Sequence, residues 1–153
     1  MIALLDVNVL LALAWPNHVH HRAAREWFRS RRQQGWATCP TTQNGFIRVS
    51  SNSRITPEAR TPQEAAIVLR GLISLSGHTF WADGCSLLDE KWLGLDRIST
   101  CHQVTDAHLL TLALSHGGCL ATFDRGISRL VSESIDRGQV LQLIPFQNGI
   151  GPR

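Results

Sequence analysis

Three aspartates in this 153-residue chain could do chemistry together: Asp6, Asp106 and Asp124. Asp6 ends the short apolar run Ile2 to Leu5, Asp106 follows Thr105 at the opening of a long helical pattern, and Asp124 follows the run Cys119 to Thr122. Each has a bland reading. Asp106 alone would serve as a helix cap or a partner for the helix macrodipole, and Asp124 alone as a turn residue in Phe-Asp-Arg-Gly. Asp6 is harder to dismiss, because an acid at a strand end after an apolar run is costly unless something binds it.

Converging carboxylates repel one another. At roughly 4 Å each pair costs on the order of 4 kcal/mol with an effective dielectric near 20. Such a cluster persists if a cation occupies it or protons are taken up. Oxygen-only ligands without His or Cys suit Mg²⁺ or Mn²⁺. These ions polarise phosphoryl oxygens and lower the pKa of bound water, which is the chemistry of phosphodiester hydrolysis.

The elements that must position these acids read as alternating strands and helices. Residues 2–5 have the look of a buried parallel strand. Val7 to Ala14 then forms a short helix stopped at Pro16, and His20 to Arg32 a helix with Ala23, Ala24, Trp27 and Phe28 inward. Gly35 breaks it, and Trp36 to Cys39 is a second strand. Thr41 or Thr42 caps a third helix through Phe46, Ile47 and Val49. Ser50 to Arg60 is a polar loop with Asn52, Ser53 and Pro57 as turn chemistry. Thr61 and Pro62 start a helix to about Ser74. His78 to Trp81 is a short strand, Val104 to His116 the clearest helix, stopped by Gly117 and Gly118, and Cys119 to Thr122 and Val140 to Ile144 the last strands. This order predicts one α/β domain over 1–153 with a mostly parallel sheet. Ligands bind beyond the carboxyl ends of such strands, where Asp6 and Asp124 fall.

Four segments in this order resemble a known family: Leu4-Leu5-Asp6-Val7-Asn8-Val9-Leu10, Thr42-Gln43-Asn44-Gly45-Phe46-Ile47-Arg48-Val49, Val104-Thr105-Asp106-Ala107-His108-Leu109, and Ala121-Thr122-Phe123-Asp124-Arg125-Gly126. Together they are similar to the PIN-domain ribonucleases, most nearly to VapC-type toxins of bacterial toxin–antitoxin pairs, over nearly the whole chain. The resemblance implies a three-layer α/β/α sandwich, a carboxylate site for Mg²⁺ or Mn²⁺, endonucleolytic cleavage of RNA, a homodimer and a complex with a VapB-type antitoxin that blocks the site. Asp6, Asp106 and Asp124 fall on the family's acidic positions, as catalytic groups and metal ligands. Asn8 stands where a polar residue accompanies the first acid, Thr122 where a hydroxyl lies near the metal, and Arg48 within the second motif. Gln43 stands where relatives often carry Glu. An amide can still accept through its oxygen but brings no charge. A catalytically inactive PIN-like binding module is the alternative, with Gln43 as its support.

Lys91 is the only lysine among fifteen basic residues. Arginine favours bidentate phosphate contacts, so Arg22, Arg25 and Arg29 are candidates for RNA contact, against the plainer reading of a solvated helix face. His18, His20 and His21 read as a loop and helix start rather than a metal site. Asp83 reads as a turn residue in Ala82-Asp83-Gly84, Asp96 as a less favoured spare carboxylate, and His102 and His108 as structure or surface. The tryptophans at 15, 27, 36, 81 and 92 read as core and interface. Cys39, Cys85, Cys101 and Cys119 have no CxxC spacing and read as reduced thiols. No run approaches the roughly eighteen apolar residues of a membrane span, and Asp6 follows the first apolar run with no basic segment before it, so a cytoplasmic protein is expected. A haloacid-dehalogenase-like phosphatase would need an acid where Asn8 stands. A receiver domain would need adjacent acids and a strand-end lysine.

Overall fold

The computed structural model describes residues 1–56 and 58–146. Five short strands, β1 (Ala3–Leu5), β2 (Trp36–Thr38), β3 (His78–Phe80), β4 (Cys119–Thr122) and β5 (Leu141–Leu143), form one sheet in the order β3-β2-β1-β4-β5. Every pairing is parallel, with Leu4 opposite Ala37 and Leu120, and Leu120 opposite Leu141. Among the described residues six α-helices accompany it: α1 (Val7–Ala14), α2 (His21–Arg31), α3 (Pro40–Ser50), α4 (Pro62–Ile73), α5 (Gln103–Ser115) and the single turn α6 (Arg137–Val140).

Alternation along the strands builds two cores, because successive side chains leave a strand on opposite faces. Ala3, Leu5, Trp36, Cys119 and Ala121 meet Val9, Leu10, Leu13, Ala24, Phe28, Phe46 and Leu69 from α1 to α4 on one face. Leu4, Ala37 and Leu120 meet Leu109, Leu110 and Ala113 of α5, with Ile127, Leu130 and Val140, on the other. The central strands are buried on both faces and are apolar apart from Thr38 and Thr122 at their carboxyl ends, as buried parallel strands favour. This is the expected three-layer α/β/α arrangement.

Local chemistry explains the boundaries. Thr61 and Glu64 form a reciprocal capping box in front of Pro62, satisfying two amides that the helix leaves free. Gly117 (φ +63°) ends α5: its N–H reaches Leu114 O and that of Gly118 reaches Ala113 O, the paired closure that a left-handed residue permits. Gly45 is required by proximity, since a Cβ there would sit 2.6 Å from Val7 Cγ2. That contact seats α3 against the first turn of α1, directly after Asp6.

Two expectations are corrected. The N-cap of α3 is Cys39, not Thr41 or Thr42; Pro40 occupies the first helical position, and the Thr42 hydroxyl accepts from Cys39 N–H at 3.0 Å. A buried threonine at the third position thus caps backward, which its type alone does not distinguish from forward capping. Val140 closes α6 and β5 begins at Leu141, because Asp136 accepts from Gly138 N–H and starts a helical turn there. Ala23 and Trp27 are half-buried, while Ala24 and Phe28 carry the inward face of α2. Pro57 lies outside the described residues. No helix of the described residues is long and apolar enough to cross a membrane.

Candidate active site

The chain leaves β1 toward the face covered by α1 to α4, and leaves β4 toward the opposite face. The carboxyl ends of these neighbouring strands therefore diverge and open a crevice at the switch point, the usual ligand position in open parallel sheets. Asp6 and Asp124 stand on its two sides.

Asp6 is buried, with 7% of its surface exposed, and serves both β1 and α1. Its N–H donates to Ala121 O at 3.0 Å. Its Oδ1 accepts from Val7 N–H at 2.6 Å, capping α1, and its Oδ2 accepts from Thr122 Oγ1 at 2.6 Å and Asn8 Nδ2 at 2.8 Å. Burial raises its pKa above the ordinary 3.8, the three donors oppose that rise, and the charge of Asp124 adds to it.

Thr122 is the hub. Besides donating to Asp6, its hydroxyl accepts from Asn8 Nδ2 and from Asp124 N–H, both at 3.0 Å. One proton and two lone pairs are all a hydroxyl has, so Thr122 is saturated. Asn8 Oδ1 in turn accepts from Phe123 N–H at 3.3 Å. The network fixes the end of β4 to the end of β1, and with it Asp124 to Asp6. Asp124 Oδ1 accepts from Gly126 N–H at 2.7 Å, starting the 3₁₀ turn 125–129.

Asp106 differs from both. It lies in the first turn of α5, whose N-cap His102 makes no side-chain cap hydrogen bond, and Gln103 Oε1 accepts from Ser99 and Thr100 N–H ahead of the helix. Among the described residues its carboxyl has no hydrogen bond and no paired cation, yet it is half-buried. Burial first, then the charges of Asp6 and Asp124, push its pKa up to about 6. The bland reading of Asp106 as a cap therefore fails, and three carboxylates from β1, α5 and β4 share one electrostatic environment.

Gln43, half-buried in the first turn of α3, donates from Nε2 to Thr38 Oγ1 at 2.9 Å. Thr38 Oγ1 lies 2.8 Å from His78 Nε2, and burial lowers the His78 pKa, favouring the neutral, accepting ring. Thr38 follows Ala37, which pairs with Leu4, so this chain of polar groups runs beside the end of β1. Among the described residues Gln43 Oε1 has no hydrogen-bond donor.

The arginine candidates separate from these residues. Arg48 is exposed on α3. Arg22 pairs with Glu26 at 2.9 Å in solvent. Arg25 and Arg29 line a shallow groove with Leu72 and Leu75, next to the start of β3 and thus toward the amino edge of the sheet. The structure does not bring Arg25 and Arg29 to the carboxylate crevice. His18 and His20 lie with ring centroids 5.7 Å apart, but among the described residues the three histidines form no three-ligand cluster: the His20 ring stacks on Phe123 at 4.7 Å, and His21 Nδ1 meets Ala12 O at 2.7 Å. Trp36 and Trp81 are buried, Trp15 and Trp27 half-buried.

A divalent ion fits the donor set of the crevice, which offers only oxygens and includes one half-buried carboxyl without a partner. Among the described residues the three carboxylates do not close to within 4.8 Å of one another; Asp83, Cys85 and His108 do.

An all-parallel sheet in the order β3-β2-β1-β4-β5, layered by helices and carrying acids at the β1/β4 crevice, defines the class: the chain belongs to the PIN-domain family, whose model matches residues 3–132. It is similar to three proteins of Mycobacterium tuberculosis: Ribonuclease VapC38, 49% identical over 86% of this chain and 91% of the relative; Ribonuclease VapC39, 46% identical over 88% and 97%; and Ribonuclease VapC44, 44% identical over 84% and 89%. The resemblance to VapC-type PIN-domain proteins expected from the four motifs holds.

Proposed function

We propose that this chain is a metal-dependent endoribonuclease, the toxin of a type II toxin–antitoxin pair, acting through Asp6, Asp106 and Asp124. The observation that carries the proposal is Asp106, a half-buried carboxyl without a hydrogen bond beside two further acids, an arrangement relieved by a cation. The names of the relatives support RNA as substrate.

Asp6, Asp106 and Asp124 would hold Mg²⁺ or Mn²⁺, which supplies polarisation of a phosphoryl oxygen and a water of lowered pKa. The chain's own contribution is positioning. Val7 N–H, Thr122 and Asn8 fix the Asp6 carboxylate in one orientation, so its oxygens need no reorganisation when substrate arrives. Thr122 and Gly126 fix Asp124 across the crevice. Asp106 stays free of local hydrogen bonds and is available to an incoming ligand. Gln43 presents a neutral carbonyl oxygen in place of a fourth charge, suited to orienting a water rather than to holding a second ion. Arg48, and less directly Arg22, Arg25 and Arg29, are the candidates for contact with the RNA backbone outside the crevice.

The same reading makes residues 1–153 one nuclease domain of the cytoplasm, a homodimer, and the partner of a VapB-type antitoxin covering the crevice. Incubation of the purified chain with RNA, with Mg²⁺ or with a chelator, tests it. Internal cleavage that requires the metal and is lost in Asp106→Asn is expected. Binding without cleavage in both conditions would return the chain to a non-cleaving RNA- or antitoxin-binding module.

A further inference from the structure

A second cluster of ligand-type side chains lies at the same edge of the sheet, on the β3 side. Asp83 and Cys85 follow β3 with Gly84 between them, and His108 projects from the second turn of α5. One ligand atom from each lies within 4.8 Å of the other two. His108 Nε2 is 2.7 Å from Asp83 Oδ1, and both side chains are 21% exposed. The other Asp83 oxygen accepts from Thr41 Oγ1 at 2.9 Å, which fixes the carboxylate from the start of α3.

We propose that Asp83, Cys85 and His108 form a second divalent-metal site, of zinc-type chemistry and separate from the carboxylate crevice, that ties residues 81–102 to α5. The donor set differs in kind from the crevice. Thiolate, imidazole and carboxylate together select a borderline-soft ion, whereas carboxylates alone select Mg²⁺ or Mn²⁺. The distances suit it. Ligand atoms around tetrahedral Zn²⁺, at about 2.0–2.3 Å from the metal, lie roughly 3.3–3.8 Å from one another. The Asp83–His108 contact opens by about half an ångström to admit the ion, which replaces the proton now shared there. Among the described residues the Cys85 thiol meets only its own backbone N–H, and Thr41 supplies the outer contact that orients a ligating carboxylate. Three protein ligands leave a fourth position for water.

The segment gives the site a purpose. Between β3 and α5 the chain forms only the two short 3₁₀ turns 87–89 and 95–97. It is anchored by Trp81 and Leu93, buried among the α5 side chains. A metal at its first turn joins it to the helix that carries Asp106, two residues from His108. The site needs no nuclease activity, so it stands or falls independently of the proposed function.

Cobalt(II) titration of the full chain in a Cys101→Ser background, which removes the exposed thiol, tests the proposal. One equivalent is expected to give thiolate-to-cobalt charge-transfer absorption, with the intense visible bands of a four-coordinate ion, displaced by Zn²⁺. Cys85→Ser and His108→Gln each remove the charge-transfer band and weaken binding about ten-fold or more, whereas Asp6→Asn with Asp106→Asn leaves it in place. No charge-transfer band in the parent chain, a band surviving Cys85→Ser, or a band lost with the crevice aspartates overturns the proposal. Alkylation of Cys85, followed by mass spectrometry, needs no variant at the site. Zn²⁺ is expected to slow it at least ten-fold, and an unchanged rate refutes the site.

Discussion

Removing the charge of Asp106 should stabilise the metal-free protein. The Asp106 carboxyl has no hydrogen bond to lose, so Asp106→Asn deletes only a buried charge and its repulsion with Asp6 and Asp124. A rise from 3.8 to about 6 corresponds to an upper limit of about 3 kcal/mol at ~1.36 kcal/mol per pH unit. Solvent access to this half-buried group reduces that to the order of 1–2 kcal/mol. For a chain of this length, about 1 kcal/mol moves the melting temperature by roughly 2–4 °C, so the variant should melt roughly 2–8 °C higher in chelator at pH 8. The folded state holds this proton more tightly than the unfolded chain. Native protein therefore binds more protons between pH 3.8 and about 6, and the wild type loses stability as pH rises through that window. The difference between variant and wild type should narrow as pH falls through about 6 and nearly close by 3.8. Thermal melts of both proteins in chelator across this range decide it. A variant that melts at or below the wild type at pH 8, or a pH-independent difference, refutes the reasoning.

Three other outcomes follow from the same geometry. Mg²⁺ or Mn²⁺ should raise the wild-type melting temperature, by the equivalent of about 2.7 kcal/mol at a hundred times the dissociation constant, and should do so far less in Asp106→Asn; a flat titration to high millimolar argues against the metal. Thr122→Val removes the hydroxyl that holds Asp6, Asn8 and Asp124 together and leaves buried groups unpaired, so a loss of about 1–3 kcal/mol in chemical denaturation is expected, together with loss of cleavage; wild-type stability would remove Thr122 from its central place. Gln43→Glu should bind Mn²⁺ more tightly in calorimetry yet melt earlier without metal, because it adds a charge and cannot donate to Thr38; no change in either measurement places residue 43 outside the crevice.

Much of this arrangement is legible in the sequence, for definite reasons. Strands buried on both faces appear as largely apolar runs, and Asp6 and Asp124 mark where two of those runs end. Thr61-Pro62 and Gly117-Gly118 announce their helix ends because few residue types satisfy the backbone there. Other features depend on placement. Cys39 caps α3 only because Thr42 folds back on it. The periodicity of α2 shows that Arg25 and Arg29 face outward, but not that they lie toward the amino edge of the sheet. Asp83, Cys85 and His108 look like a turn acid, a small buried thiol and a helix-surface imidazole. Their spacing matches no zinc motif, and only the seating of α5 beside the end of β3 brings them together. The hydrogen bonds of Thr122 to Asp6 and Asn8 are equally invisible, since they join β4 to residues more than a hundred positions earlier.

The central claim is that Asp6, Asp106 and Asp124 act as one metal-dependent site on RNA. Single-turnover cleavage of an end-labelled RNA, with the wild type and the three Asp→Asn variants in Mg²⁺, Mn²⁺ or chelator, tests it most directly. The account predicts internal cleavage by the wild type in either metal and none in chelator, with each variant folded and reduced at least a hundred-fold. Cleavage that persists in chelator, or any one of the three variants cleaving at the wild-type rate, would contradict it.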